Sequence, residues 1–216
     1  RLLSNPALEL ENCRKTRRLP RNILSVPEVA RLLAVVSRQS PSGIRDLAVL
    51  EVLYGTGVRR AELLGLNLQD LRLGESMLYV MGKGSKERVV PLGKAAAEAL
   101  QRYLKESRPV LMRGDHHALF VSASHGGRLS VDEIVPVIRA YARQARIRKK
   151  VSLHLFRHTC ATHLLRGGAD LRCIQTLLGH SELSTTAIYT RIDLTDLKKT
   201  LKRCHPREKD DTQPPR

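Results

Sequence analysis

Only one part of this chain reads clearly as a pair of strands, and it is short. Met77–Met81 and Glu87–Leu92 are apolar runs on either side of Gly82-Lys83-Gly84-Ser85-Lys86, a pattern that predicts a β-hairpin with a flexible basic tip. Ala118–Ser122 is short and apolar enough to add a third strand. Almost everything else has helical period or reads as a turn. The predicted fold class is therefore α+β, mainly α with a small antiparallel β-sheet.

The helices are marked by their ends. Ser25-Val26-Pro27-Glu28 is a capping-box signal, and Val29, Leu32, Leu33 and Val36 follow it at helical spacing. Pro41-Ser42-Gly43 resets the chain before a second helix from about Ile44 to Tyr54, which Gly55-Thr56-Gly57 ends. A short third helix is expected from Arg60 to Leu64. Further helices are expected over Lys94–Lys105, Val131–Ala145 (with Pro136 as an awkward residue inside it), Leu153–Leu165, Asp170–Leu178, Ser184–Ile188 and Thr195–Arg203. Arg108–Gly114 reads as a loop. The tail from His205, with Pro206, Pro214 and Pro215, is expected to be disordered.

Charge narrows the partner. Across 216 residues, 38 Lys and Arg against 21 Asp and Glu leave a formal net charge of +17, which points to a polyanion. Apolar residues make up 42% of the chain, enough to bury a core. Aromatics are only 3%, which disfavours a single-strand reader built on stacking platforms. Two basic runs contain no acid. Arg14, Lys15, Arg17, Arg18 and Arg21 form the first, in residues 1–22, which read as a linker that either lies along phosphates or is a solvated entry arm. Arg139, Arg143, Arg146, Arg148, Lys149 and Lys150 form the second. The four Cys match no paired metal-knuckle spacing and no disulfide framework, which favours a reducing cytoplasm. No apolar run approaches membrane-spanning length. The chain begins at Arg1, which reads as a fragment with a segment missing upstream.

Several chemistries fit poorly. Metal-dependent nucleases need clustered carboxylates, and the acids here are scattered. Gly82-Lys83-Gly84-Ser85 superficially resembles a phosphate loop, but Met77 stands where its first glycine belongs. His154, His158, His163 and Cys160 invite a zinc reading. Yet 154 and 158 share one helix face, Cys160 lies well around the helix, and Phe156, Cys160 and Leu164 repeat as a buried apolar face. No metal site is expected.

A set of separate basic residues, each beside a structural break, is more informative. Arg59 follows Thr56-Gly57-Val58 at a helix start, Lys83 sits at the hairpin tip, and His154 and Arg157 are spaced i, i+3. His180 follows Gly179, which reads as a helix C-cap, and Tyr189 lies nine residues further on. Taken singly, each is an ordinary surface or packing residue. Their joint order resembles the tyrosine recombinase, or phage integrase, family, and most closely its Xer-type members. The stretches that carry the resemblance are Thr56-Gly57-Val58-Arg59-Arg60-Ala61-Glu62-Leu63, Gly82-Lys83-Gly84-Ser85-Lys86-Glu87-Arg88-Val89-Val90-Pro91-Leu92, His154-Leu155-Phe156-Arg157-His158, Leu178-Gly179-His180-Ser181 and Ser184-Thr185-Thr186-Ala187-Ile188-Tyr189.

The resemblance implies a catalytic domain over residues 23–204, joined through the basic linker to a core-binding domain absent from this chain. It implies that Arg59 and Arg157 clamp a scissile phosphate with His180, that His154 assists proton transfer, and that Lys83 protonates the leaving oxygen. Tyr189 is the implied nucleophile, with Glu62 and His158 as supports. The chemistry suits these residue types. Attack on a phosphodiester builds charge on its non-bridging oxygens, which guanidiniums meet with fixed donors. A Tyr hydroxyl, protonated at neutral pH, needs a positive field or a base. The cations are side chains, so the implied mechanism requires no cofactor. The implied function is site-specific DNA recombination through a covalent 3′-phosphotyrosyl intermediate. The implied partner is double-stranded DNA, bound by a homotetramer, or a heterotetramer with a paralogue, on paired sites. Arg14, Lys15, Arg17, Arg18, Lys86, Arg148, Lys149 and Lys150 are the candidate DNA contacts, and the C-terminal helix near Leu194–Leu201 is expected on a neighbouring subunit. The expected location is the cytoplasm, in association with the nucleoid, of a prokaryote or mobile-element host. A catalytically silent DNA-binding module and a type IB topoisomerase are the alternatives.

Overall fold

Pro41–Thr56 is a helix that the rest of the fold surrounds: from Gly43 to Thr56 only Leu47 is not buried. The structure, a computed structural model, describes residues 23–82, 87–179 and 194–208. In chain order the helices are α1 Val26–Ala34, α2 Pro41–Thr56, α3 Arg60–Gly65, α4 Lys94–Arg102, α5 Arg108–Leu111, α6 Val131–Gln144, α7 Leu153–Arg166, α8 Leu171–Leu178 and α9 Leu194–Cys204. The strands β1 Leu71–Arg72, β2 Met77–Met81 and β3 Glu87–Pro91 form an antiparallel sheet in the order β1-β2-β3. The register runs from Met77 opposite Pro91 to Met81 opposite Glu87, so the hairpin is present. The expected class, mainly α with a small antiparallel sheet, is the one observed.

Local signals place most elements. The Ser25 hydroxyl accepts the Glu28 N–H while the Glu28 carboxylate accepts the Ser25 N–H, which closes the capping box of α1. α2 begins three residues before the expected Ile44, because Ser40 caps it and Pro41 occupies its first turn. α2 packs on α4, α5 and α7. It also carries a buried ion cluster. Arg45, 2% exposed, pairs with Asp46 at 2.8 Å and with Glu133 of α6 at 2.6 Å, and the Tyr141 hydroxyl donates to Asp46 at 2.8 Å. This cluster ties α6 to the core from two points along its length. α6 itself continues through Pro136.

Two expectations are corrected. Arg108–Gly114 is not wholly loop: Arg108–Leu111 is helical, with Pro109 in its first turn, and the buried Arg108 guanidinium donates to the Ala118 and His116 carbonyls. Ala118–Ser122 is not a strand of the sheet, whose third strand is Leu71–Arg72. Side chains occupy part of its hydrogen-bonding capacity: the Tyr103 hydroxyl donates to the Leu119 carbonyl and accepts from the Val121 N–H. Only isolated bridges, Asn67 to Ala118 and Val121 to Arg128, remain there.

The start of the expected disordered tail is also corrected. Pro206–Glu208 is a 3-10 turn, His205 is 1% exposed, and Arg207 pairs with Glu51 of α2 at 2.6 Å. The His205 Nε2–H donates to the Tyr54 carbonyl at 3.1 Å. The rest of that tail, residues 209–216, lies outside the described residues, as do residues 1–22 and the helix expected over Ser184–Ile188. The C-terminal helix has packing partners within this chain. Leu197, Leu201 and Cys204 of α9 are buried, and the helix lies against α7, α8 and β3.

Candidate active site

Three elements come together beside the N-terminus of α3. The first is the end of α2, where Gly57 takes a left-handed φ of 63°. A Cβ there would stand 2.6 Å from the Leu178 side chain, so the close approach of α2 to α8 itself requires glycine. The second is the end of α8, closed by Gly179 at φ 65°, the C-cap the sequence predicts. The third is β3, which leads away from the basic hairpin tip.

Arg59 is the residue before α3. Its backbone N–H donates to Glu62 at 2.6 Å, its Nη1 to Glu62 at 2.9 Å, and its Nη2 to the Gly179 carbonyl at 2.9 Å. Arg157 projects inward from α7 and is 5% exposed. Its Nη1 donates to the Gly57 carbonyl at 2.8 Å and its Nη2 to the Leu178 carbonyl at 2.7 Å. Burial, then the nearby Arg59 charge, lowers its guanidinium to about 10, so it stays protonated at neutral pH. The two arginines approach the end of α8 from separate elements. Each Nη carries two N–H groups and spends one on these contacts, which leaves donors for an anion.

Glu62 is the carboxylate of this cluster. Burial pushes its carboxyl up, but the Arg88 fork and the Arg59 donors outweigh this and hold it at about 2. The Arg88 contacts are Nη1 to Oε1 at 2.7 Å and Nη2 to Oε2 at 2.9 Å. Arg88 stands outside the set of site residues read from the sequence. Its spacing within β3 offers no signal, because its partner Glu62 lies 26 residues away.

His154 and His158 stack edge-on, 4.4 Å between ring centres, on the exposed side of α7. His154 is exposed, whereas Arg157, three residues on, is buried and donates to the two carbonyls. His158 lies below the ordinary imidazole range through burial, then the neighbouring His154 and Arg157. His154, Arg59, Arg60, Ser152 and Arg139 line an open groove of about 610 Å³ between α3 and α6. Lys83, His180, Tyr189 and Lys86 lie outside the described residues, as do Arg14, Lys15, Arg17 and Arg18. Every member of the second basic run except Lys149 is exposed, the candidate contacts Arg148 and Lys150 among them. Lys149 donates to Glu28 at 2.5 Å and to the Ile23 carbonyl at 2.7 Å, which fastens the entry to α1. Among the zinc-like residues, Cys160 is wholly buried, with burial raising its thiol to about 12, and the His163 Nδ1 pairs with the Tyr54 hydroxyl at 2.8 Å.

The phage integrase family profile matches residues 22–195. Tyrosine recombinase XerD of Listeria monocytogenes is 40% identical over 204 residues, covering 94% of this chain and 68% of that protein. The crystal structure of XerA recombinase has a TM-score of 0.67 at 37% identity, over 88% of this chain and 67% of that one. XerH site-specific recombinase bound to its difH substrate, a pre-cleavage complex, gives a TM-score of 0.66 at 26% identity, over 87% of this chain and 55% of that one. The chain belongs to the phage integrase family of tyrosine recombinases.

Proposed function

We propose that this chain carries the strand-cleaving and rejoining domain of a site-specific DNA recombinase, with Tyr189 as nucleophile. The observation that carries the proposal is the convergence of Arg59 and Arg157, both holding uncommitted donors, on the α8 terminus that immediately precedes His180 in the sequence. In this reading the Tyr189 oxygen attacks the scissile phosphorus and its proton passes to His154. The bond to the 5′ oxygen breaks, and that oxygen takes a proton from Lys83. Arg59, Arg157 and His180 meet the charge that develops on the non-bridging oxygens. The product is a 3′-phosphotyrosyl ester and a free 5′-hydroxyl, and the reverse attack by a 5′-hydroxyl rejoins DNA. The ester conserves the energy of the broken bond.

The substrate in this reading is double-stranded DNA, seated along the groove lined by Arg59, Arg60 and Arg139, and the working form is a tetramer on paired sites. Residues 1–22 join an upstream DNA-clamping domain, Arg148 and Lys150 contact phosphates, and the protein works at the nucleoid. The test is covalent trapping on nicked duplexes selected from a random pool for binding. Wild type is expected to give a denaturant-resistant band carrying label from the 3′-phosphate side of the break. A wild type that binds these duplexes and gives no such band overturns the proposal.

A further inference from the structure

The end of α8 is capped in an unusual way. A helix leaves its last carbonyls without intrahelical partners. Here three successive ones are taken by three guanidiniums from three different elements. Leu177 accepts from the Arg88 Nε at 3.3 Å, Leu178 from Arg157, and Gly179 from Arg59. Two of those arginines are the proposed phosphate clamp. The third has a different character. The Arg88 side chain is 15% exposed, and its Nε, Nη1 and Nη2 all donate to protein oxygens.

Glu62 explains what Arg88 does. Arg59 and Arg88 compete for one carboxylate. Arg88 takes both oxygens in a planar fork, the geometry that favours guanidinium over ammonium. That leaves Arg59 a single side-chain contact, Nη1 to Oε1, and turns its Nη2 to Gly179. Without Arg88, the carboxylate would be open to a two-nitrogen pair with Arg59, which would draw that side chain out of its present orientation. Arg88 also covers the helix end: a Cβ at Gly179 would stand 3.0 Å from the Arg88 Cδ and Nε.

We infer that Arg88 is a positioning residue for the phosphate clamp. By occupying both oxygens of Glu62 it sets the orientation of Arg59, and by capping and covering the end of α8 it sets where the chain leaves that helix. The inference rests on the recombinase reading above. It assigns Arg88 no contact with DNA, so its loss acts on the rate of cleavage and not on the affinity for the duplex.

The experiment compares the full chain with Arg88→Gln, Arg88→Lys, Glu62→Gln and the Glu62→Gln/Arg88→Gln pair. Single-turnover adduct formation on the selected nicked duplexes gives the rate at saturation, and mobility shift gives the dissociation constant. Arg88→Gln is expected to cleave at least about 10-fold more slowly at saturation with binding within about 3-fold of wild type. Arg88→Lys, which keeps the charge and the fold but not the fork, is expected to be slowed as well. The double variant is expected to be no slower than the slower single variant, because both act through one contact. Lysine cleaving at the wild-type rate, losses that multiply in the double variant, or a loss confined to the dissociation constant would each overturn the inference while leaving the recombinase reading intact. A wild type that never forms an adduct overturns both.

Discussion

Glu62→Gln removes the charge that three hydrogen-bonded donor groups share, and its cost has a pH signature. The carboxyl is held at about 2 against an ordinary 4.5, chiefly by Arg88 and Arg59 working against burial. A carboxyl depressed in this way contributes stability that is fully present above about 4.5 and is lost as pH falls toward about 2. At about 1.4 kcal/mol per pH unit, the difference amounts to about 3 kcal/mol at neutral pH. The same relation leaves less than half of that at pH 3, where part of the native carboxylate is protonated. Urea unfolding of wild type and Glu62→Gln, at pH 7 and again near pH 3, therefore tests the reasoning. The gap between the two proteins should shrink by more than half on acidification. A gap that is the same at both pH values would show that the variant disturbs packing and not the charge cluster.

Gly57→Ala forces a left-handed residue to carry a side chain 2.6 Å from Leu178. It is expected to cost about 2 kcal/mol or more in denaturant unfolding, and a cost near zero would contradict the close approach. His205 is lowered to about 4 by burial, reinforced by the charges of His163 and Arg207. Its neutral form is the native one, so the docking it supports is present above about 6.5 and is lost as pH falls toward about 4. Protection against hydrogen exchange over 205–208, corrected for the slower intrinsic exchange at lower pH, should fall between pH 7 and pH 5, and Glu51→Gln should not abolish that dependence; equal protection at both pH values would contradict it. Arg139→Ala, on the wall of the groove, should weaken DNA binding for all sequences alike and reduce the salt slope of binding by about 1. An unchanged slope would place the duplex elsewhere.

The sequence was most legible where the signal is local. Ser25 and Glu28 announce their helix because the two partners of a capping box are three residues apart. The hairpin is visible because glycine brackets its tip. Gly179 is readable as a cap because a helix must end there before His180. What escaped depends on distant partners. Lys149 looks like one more residue of a basic run until the fold brings Glu28, 121 positions away, to its ammonium. Arg88 reads as an exposed strand residue until the fold brings Glu62 of α3 and the Leu177 carbonyl at the end of α8 to its guanidinium. The turn after His205 carries proline and mixed charge, the composition of a tail, yet Glu51 and the Tyr54 carbonyl on α2 hold it. Ala118–Ser122 has the apolar content of a strand, but Arg108 and Tyr103 take hydrogen bonds that a neighbouring strand would need.

The central claim is that Tyr189 becomes covalently joined to DNA within a clamp of Arg59 and Arg157. The most direct measurement is to isolate the adduct formed on a nicked duplex, digest it with protease and nuclease, and identify the modified peptide by mass spectrometry. The account predicts a nucleotide 3′-phosphate on Tyr189 in wild type, and no adduct from Tyr189→Phe under conditions where both bind the duplex equally. An adduct on any other residue, or one that persists in Tyr189→Phe, would contradict it.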